Sequence, residues 1–188
     1  MGVVRDADVG AETLTDFLGR LADRTPTPAS GSVAALCVAQ AAALAAMVAR
    51  YCDTPALAER AERLVSQSLQ LIAEDQRSFG AVADVWAVPR GAWSDEEERR
   101  SALSEALLGA SEPQAQVAET AIEVLVLLDR LRPAVRSGLL SDLVAAGEVA
   151  RAAAAIARMN VESNAGSLPD SENRSRLLRR MGIMNEEA

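Results

Sequence analysis

The stretch PTPASGSVAALCVAQAAALAAMVAR, Pro26 to Arg50, decides the fold. A short proline-rich elbow leads into Ser30, Gly31 and Ser32, and from Val33 to Ala49 Gln40 alone interrupts an apolar, alanine-dominated run. Alanine is the strongest helix former and adds little girth, so a helix built from it lets neighbours approach closely on every side. Such a helix belongs in the middle of a bundle or at a subunit interface. Pro26 and Pro28 are expected to hold the approach extended, and Ser30 or Ser32 to cap the helix. First-turn amides left over by capping point outward as donors, so this helix start could also receive a carbonyl, carboxylate or phosphate. On spacing alone the ordinary cap is favoured.

Length and composition bound the rest. A chain of 188 residues fits one domain with a sizeable core. We expect that domain to span 1–188, with its core over about 14–168 and a polar tail over 169–188. The only aromatic residues are Phe17, Tyr51, Phe79, Trp86 and Trp93, too few for a β-rich domain, so the balance predicts an all-α protein. There is no histidine, and all 19 basic residues are arginine. Ser-His-Asp and Cys-His catalysis, His-based zinc sites, Schiff bases and the P-loop lysine are thereby excluded. Acid–base work must fall to carboxylates, a cysteine or Tyr51, and carboxylates are best suited. A net charge of −8 with scattered arginines argues against a nucleic-acid face. Cys37 and Cys52 form no C-x-x-C motif and imply no disulfide framework. The start, MGVVRDADVG, is acidic and has no apolar leader core, and the longest apolar run is read as too short and alanine-rich to span a bilayer. The expectation is a cytoplasmic protein without membrane contact.

Along the chain, Leu14, Phe17, Leu18 and Leu21 recur at helical spacing and predict a first amphipathic helix to about Asp23. After the alanine-rich helix, Thr54 caps and Pro55 opens a third helix that can run to Val88. Its apolar stripe reads Ala61, Leu64, Val65, Ser68, Ile72, Asp75, Phe79, Val82 and Trp86. Asp75 therefore sits on the face that should be buried, which calls for a partner or a wet cleft. Pairing with an arginine such as Arg77, or capping another helix end, weighs evenly against a functional role at this stage. Ser94 with Glu97 reads as a capping box opening a fourth helix, and Pro113 is expected to begin a fifth. Ser137 or Ser141 starts a sixth helix to roughly Asn164, with a stripe of Asp142, Ala146, Val149, Ala153, Ile156, Asn160 and Asn164. Asp142 and Asn160 are eighteen residues apart, roughly 27 Å along an unbroken helix, so both cannot touch one atom within one protomer. They suit the two ends of a long ligand or a site shared between subunits. A last, peripheral helix is expected over Asn173 to Met181, giving a bundle of about six or seven helices.

In order, PTPASGSVAAL, MVARY, DQRSF, VPR, the acidic run with Arg99 and Arg100, SDLVAA and NVESNAGSL resemble the cyclodeaminase/cyclohydrolase family over about Leu14 to Leu168. This is the C-terminal domain of formiminotransferase-cyclodeaminase and its free-standing relatives, including methenyltetrahydrofolate cyclohydrolases. The resemblance implies an all-helical fold, dimeric or higher and expected as a homodimer, acting on one-carbon units carried by tetrahydrofolate, with no metal and no cofactor beyond that carrier. The family pattern reads P-x-P-G-G-G-S-x-A-A, D-x-x-A-F, S-D and N-x-x-x-N. It carries over to Pro28, Gly31 and Ser32, to Asp75 and Phe79, to Asp142, and to Asn160 and Asn164.

The implied reactions pass through a tetrahedral carbon beside a cationic nitrogen, where a carboxylate stabilises charge and relays protons. Asp142 is the first candidate for that role and Asp75 the second. Ser30 to Ser32 are candidates for pterin oxygen, and Arg50 or Arg90 for the glutamyl tail. The chain departs from the family pattern in having Ala29 and Ser30 for two of its glycines, and Arg50, Tyr51, Cys52 and Asp53 where lysines are common. The rival expectation is therefore a non-catalytic helical dimer or ligand-binding module, in which both aspartates merely satisfy arginines, or a relative with a different substrate.

Overall fold

A computed structural model describes residues 12–182. The sequence readings of the first ten residues and of the extreme carboxyl end lie outside them. Among the described residues there are six α-helices and no strand: α1 (Leu14–Leu21), α2 (Ser30–Tyr51), α3 (Pro55–Ala87), α4 (Glu96–Leu131), α5 (Leu140–Gly166) and α6 (Glu172–Arg180). Short 3-10 turns at Arg90–Ala92, Arg132–Ala134 and Ser137–Leu139 join the long helices.

The alanine-rich segment behaves as its composition requires. α2 touches α3 and α5 along its flanks and α4 across the bundle. Ala34, Ala35, Ala41, Ala42, Ala45 and Ala49 have no exposed surface, so neighbours close on α2 from most sides. Larger side chains complete the core from the other helices, chiefly Leu64, Leu71 and Ile72 of α3 and Val117, Val124 and Leu131 of α4. At 22 residues α2 is in fact long and apolar enough to cross a bilayer, contrary to the reading of that run as too short; here 61% of its most apolar window is buried inside the bundle.

The helix ends differ from expectation in instructive ways. Neither Ser30 nor Ser32 caps α2: the N-cap is Ala29, which has no side-chain oxygen to offer, and the two serines fall inside the first turn. The elbow bends rather than running extended, and its Thr27–Pro28 peptide is cis. Thr54 does occupy the N-cap of α3 with Pro55 just inside, but its hydroxyl donates back to the Ala49 carbonyl at 2.9 Å instead of receiving a first-turn amide. The capping box of α4 lies one residue further along than predicted. Asp95 accepts from the Glu98 amide at 2.8 Å, and the Glu98 carboxylate receives both the amide and the hydroxyl of Ser94.

The largest correction concerns Pro113, which lies within α4 and starts no new helix. It withholds one N–H from the carbonyl four residues back, a local cost of about 3 kcal/mol in an exposed helix. Here Pro113 is buried, and contacts with α3 and α5 on both sides of it hold the two halves in one rod. The predicted fourth and fifth helices are therefore a single helix of 36 residues. The carboxyl-terminal helix is also less peripheral than expected. Leu177 and Leu178 of α6 are buried against Ala115, Val161 and Ala165, and Arg180 bridges Glu112 and Glu119 of α4.

If the small girth of α2 sets the spacing of the bundle, Ala42→Leu should overfill the core and destabilise by about 1–3 kcal/mol. Ala43→Leu, on the exposed side of the same turn, should leave the midpoint of denaturant unfolding nearly unchanged.

Candidate active site

A cleft of about 280 Å³ opens where the amino end of α2 meets α3, α4 and the carboxyl half of α5. Asp75 and Gln114 stand at its inner end, Asn160, Asn164 and Ser30 form polar walls, and Phe79 and Trp86 line it further along α3. Four helices thus contribute to one cleft.

Asp75 is 6% exposed. Its Oδ2 accepts from the Ser32 hydroxyl at 2.8 Å and its Oδ1 from Gln114 Nε2 at 2.7 Å, while the Ser32 backbone amide adds a third donor. The carboxylate therefore receives a first-turn donor of α2 and stands where a capping side chain would, replacing the oxygen that Ala29 lacks. The sequence reading that the start of α2 could receive a carboxylate is met by one of the protein's own. Among the described residues no arginine pairs with Asp75, and Arg77, two residues along α3, is exposed. Burial is the largest influence on the Asp75 carboxyl and raises its pKa above the ordinary carboxylate range; the hydrogen bonds from Ser32 and Gln114 oppose that shift without cancelling it.

The donors are arranged in a line ending on this carboxylate. Ser30 Oγ donates to Asn160 Oδ1 at 2.9 Å, Asn160 Nδ2 donates to Gln114 Oε1 at 3.1 Å, and Gln114 Nε2 donates to Asp75. Gln114 is 2% exposed and its amide is used at both ends, which fixes its orientation. A neighbouring branch runs from Asn164 Nδ2 to Ser111 Oγ at 3.2 Å, and from there to the Leu107 carbonyl at 2.8 Å. Gly31 is what allows the line to close. A Cβ there would lie 2.1 Å from Asp75 Oδ1 and 2.2 Å from Gln114 Nε2, far inside contact distance. Two of the family's glycines are replaced at Ala29 and Ser30, but the one position where a side chain cannot be accommodated keeps its glycine.

The structure brings together Ser30, Gly31, Asp75, Phe79, Asn160 and Asn164 along the cleft, with Ser32 bonded to Asp75 from behind. Pro28 is buried in the elbow just before α2. It does not bring in the other candidates. Asp142 lies in the first turn of α5, half-buried and remote from the cleft in its own protomer, because eighteen residues of continuous helix separate it from Asn160. Arg50 lies at the opposite end of α2, roughly 30 Å from Ser30 by helical rise, and pairs with Glu62. Arg90, in the turn after α3, is exposed and not among the lining residues.

Gln114, Trp86, Ser163 and Ser167 were not singled out as site residues from sequence, although they line the cleft. Gln114 had a signal. Ser111, Gln114, Ala118, Ala121 and Val124 recur in steps of three and four, so a polar amide sits on a buried stripe as Asp75 does. Placing a helix start at Pro113 hid that continuity.

Residues 13–182 match the family described as formiminotransferase-cyclodeaminase. The protein is 30% identical to a methenyltetrahydrofolate cyclohydrolase of Methylorubrum extorquens, with 94% of each chain covered. It is 27% identical to a formimidoyltransferase-cyclodeaminase of Mus musculus over 94% of this chain, which spans 35% of the length of the mouse protein. Its fold matches the crystal structure of a formiminotetrahydrofolate cyclodeaminase from Thermotoga maritima with a TM-score of 0.82 at 24% identity, over 93% of this chain and 88% of that one. The ordered motifs, the alanine-rich central helix and a match over nearly the whole length place this chain in the formiminotransferase-cyclodeaminase family.

Proposed function

We propose that this protein is a folate one-carbon enzyme that makes or breaks a C–N bond at the carbon bridging N5 and N10, with Asp75 as its acid–base group. The carrying observation is a buried carboxyl, held only by neutral donors, at the inner end of a cleft in a chain whose end-to-end relative is a methenyltetrahydrofolate cyclohydrolase. That relative favours hydrolysis over deamination for this chain. The reaction adds water to an already electrophilic carbon and calls for no metal or redox carrier.

In the hydrolytic direction Asp75, as carboxylate, takes a proton while the water oxygen bonds to the amidinium carbon. The resulting hydroxyl adduct is neutral. As it collapses, Asp75 returns its proton to N5, the C–N5 bond breaks, the hydroxyl loses its proton to solvent and a formyl group remains on N10. In deamination the same carboxyl takes the N10 proton and delivers it to the departing ammonia. A cationic amidinium beside Asp75 also supplies the opposite charge that the empty pocket lacks, favouring the ionised acid when substrate binds. Asn160, Asn164 and Ser30 present amide and hydroxyl groups suited to the pterin edge.

The protein is further read as a cytoplasmic homodimer. Ile122 and Val126 of α4 and Leu140, Val144 and Met159 of α5 are each about half exposed or more, an apolar face a second copy would cover. Asp142, remote from its own cleft, would act only across such an interface.

The functional test is the ultraviolet absorbance of 5,10-methenyltetrahydrofolate, which wild type should deplete faster than buffer. No turnover of methenyl- or formiminotetrahydrofolate, with no ligand-induced rise in melting temperature, would return the protein to the non-catalytic rival. Asp75→Asn should lower kcat by about 10²–10⁴-fold. Since the folded chain binds this proton more tightly than the unfolded chain, the associated stability is full at low pH and is lost as pH rises through the raised pKa. Asp75→Asn should therefore melt no lower than wild type at pH 8, and kcat/KM of wild type should climb with pH through a value above the ordinary carboxylate range. Gly31→Ala meets the ends of two side chains rather than backbone, so it should keep the fold but swing Asp75 aside and cost at least about tenfold in turnover. In light scattering the protein should have a dimer's mass and Val126→Glu a monomer's. A monomeric variant with full turnover would remove Asp142 from the mechanism.

A further inference from the structure

Trp86 is 58% exposed although it lines the cleft, and its ring meets Phe79 edge to face, with centroids 5.9 Å apart and planes at 81°. Asp75, Phe79, Val82 and Trp86 lie on one stripe of α3, so the cleft runs along the helix from a buried acid to an exposed indole. Helical side chains lean toward the amino end, which carries the indole back over the preceding turn and toward Phe79. Eleven residues of helical rise, roughly 16 Å, separate the Asp75 and Trp86 positions along α3. The edge-to-face contact fixes the orientation of the indole and leaves an apolar surface facing water at the open end of an otherwise polar cleft.

We propose that Trp86 is a substrate-contacting residue that stacks on the p-aminobenzoyl ring of the folate, an inference that rests on the function proposed above. The choice of ring follows from charge. The glutamate beyond that ring is a dicarboxylate, and among the described residues no arginine lines the cleft, so the tail is best left in water. The ring joined to it then lies at the open end, beside Trp86. The pterin, which carries the hydrogen-bonding edge, goes to the amides of Gln114, Asn160 and Asn164. Phe79 supports the indole from its side and keeps it from folding over the opening.

The test is a comparison of Trp86→Ala with Trp86→Phe. Trp86→Ala should raise KM for methenyltetrahydrofolate about tenfold with kcat within about twofold, and Trp86→Phe should recover most of the loss. p-Aminobenzoylglutamate alone should inhibit wild type and Trp86→Phe but not Trp86→Ala. The protein has two tryptophans, and among the described residues the buried Trp93 indole N–H has no hydrogen-bond partner, so Trp93→Phe forfeits no such bond and leaves Trp86 as the only tryptophan. In that background, 5-formyltetrahydrofolate should quench the remaining fluorescence. If wild type turns over folate but Trp86→Ala keeps its KM, or Trp93→Phe shows no quenching, the inference fails and the proposed reaction stands. If wild type neither turns over nor binds folate, the reaction itself fails.

Discussion

The thinness of α2 is the constraint from which the rest of the structure follows. A helix whose inward positions carry methyl groups can be approached by three long helices at once, and at Gly31 even the methyl is missing. That last gap is where α3 and α4 deliver Asp75 and Gln114 against the backbone of α2. Bulk at this point would push the carboxyl outward into water, where it would be an ordinary acid. The close approach makes it a buried one.

A buried carboxyl is costly unless its oxygens are satisfied, and here both are, by neutral donors alone. A guanidinium in place of Gln114 would have stabilised the anion more strongly and made it a poor proton acceptor. Amides and hydroxyls hold the carboxyl in place without cancelling the upward shift that burial gives its pKa. The same group also meets the first turn of α2, so capping and the proposed chemistry would be two uses of one oxygen pair. Stability and reactivity pull in opposite directions at this residue: the fold prefers the proton on, and the proposed reaction begins with it off.

The cleft depends equally on long, uninterrupted helices. α4 passes through Pro113 without breaking, which brings Gln114 into register with Asp75 on one side and Asn160 on the other. α6 then returns along α4 and α5, with Arg180 held by two glutamates of α4 and Leu177 and Leu178 set into the groove beside Ala115. The tail thereby steadies the half of α5 that carries the two asparagines.

Periodicity and composition by themselves determined the helical class, the buried alanine helix, the extent of α3 and the anomaly of Asp75, since these depend on which residues recur at helical spacing. Periodicity also set Asn160 and Asn164 on a core-facing line, family resemblance pointed again to them and to Gly31 and Phe79, and the structure sets all four at one cleft. Three-dimensional contact decided what local rules leave open. Local chemistry read Pro113 as a start and the serines of α2 as caps, because proline opens helices and serine caps them in isolation. Long-range contacts outweighed the first tendency, and the arrival of Asp75 and Asn160 drew the hydroxyls elsewhere. Asp142 and Asp75 looked alike in sequence, both acids on apolar stripes. Only the straightness of α5 set them apart, because a rigid rod cannot bring its two ends to one atom.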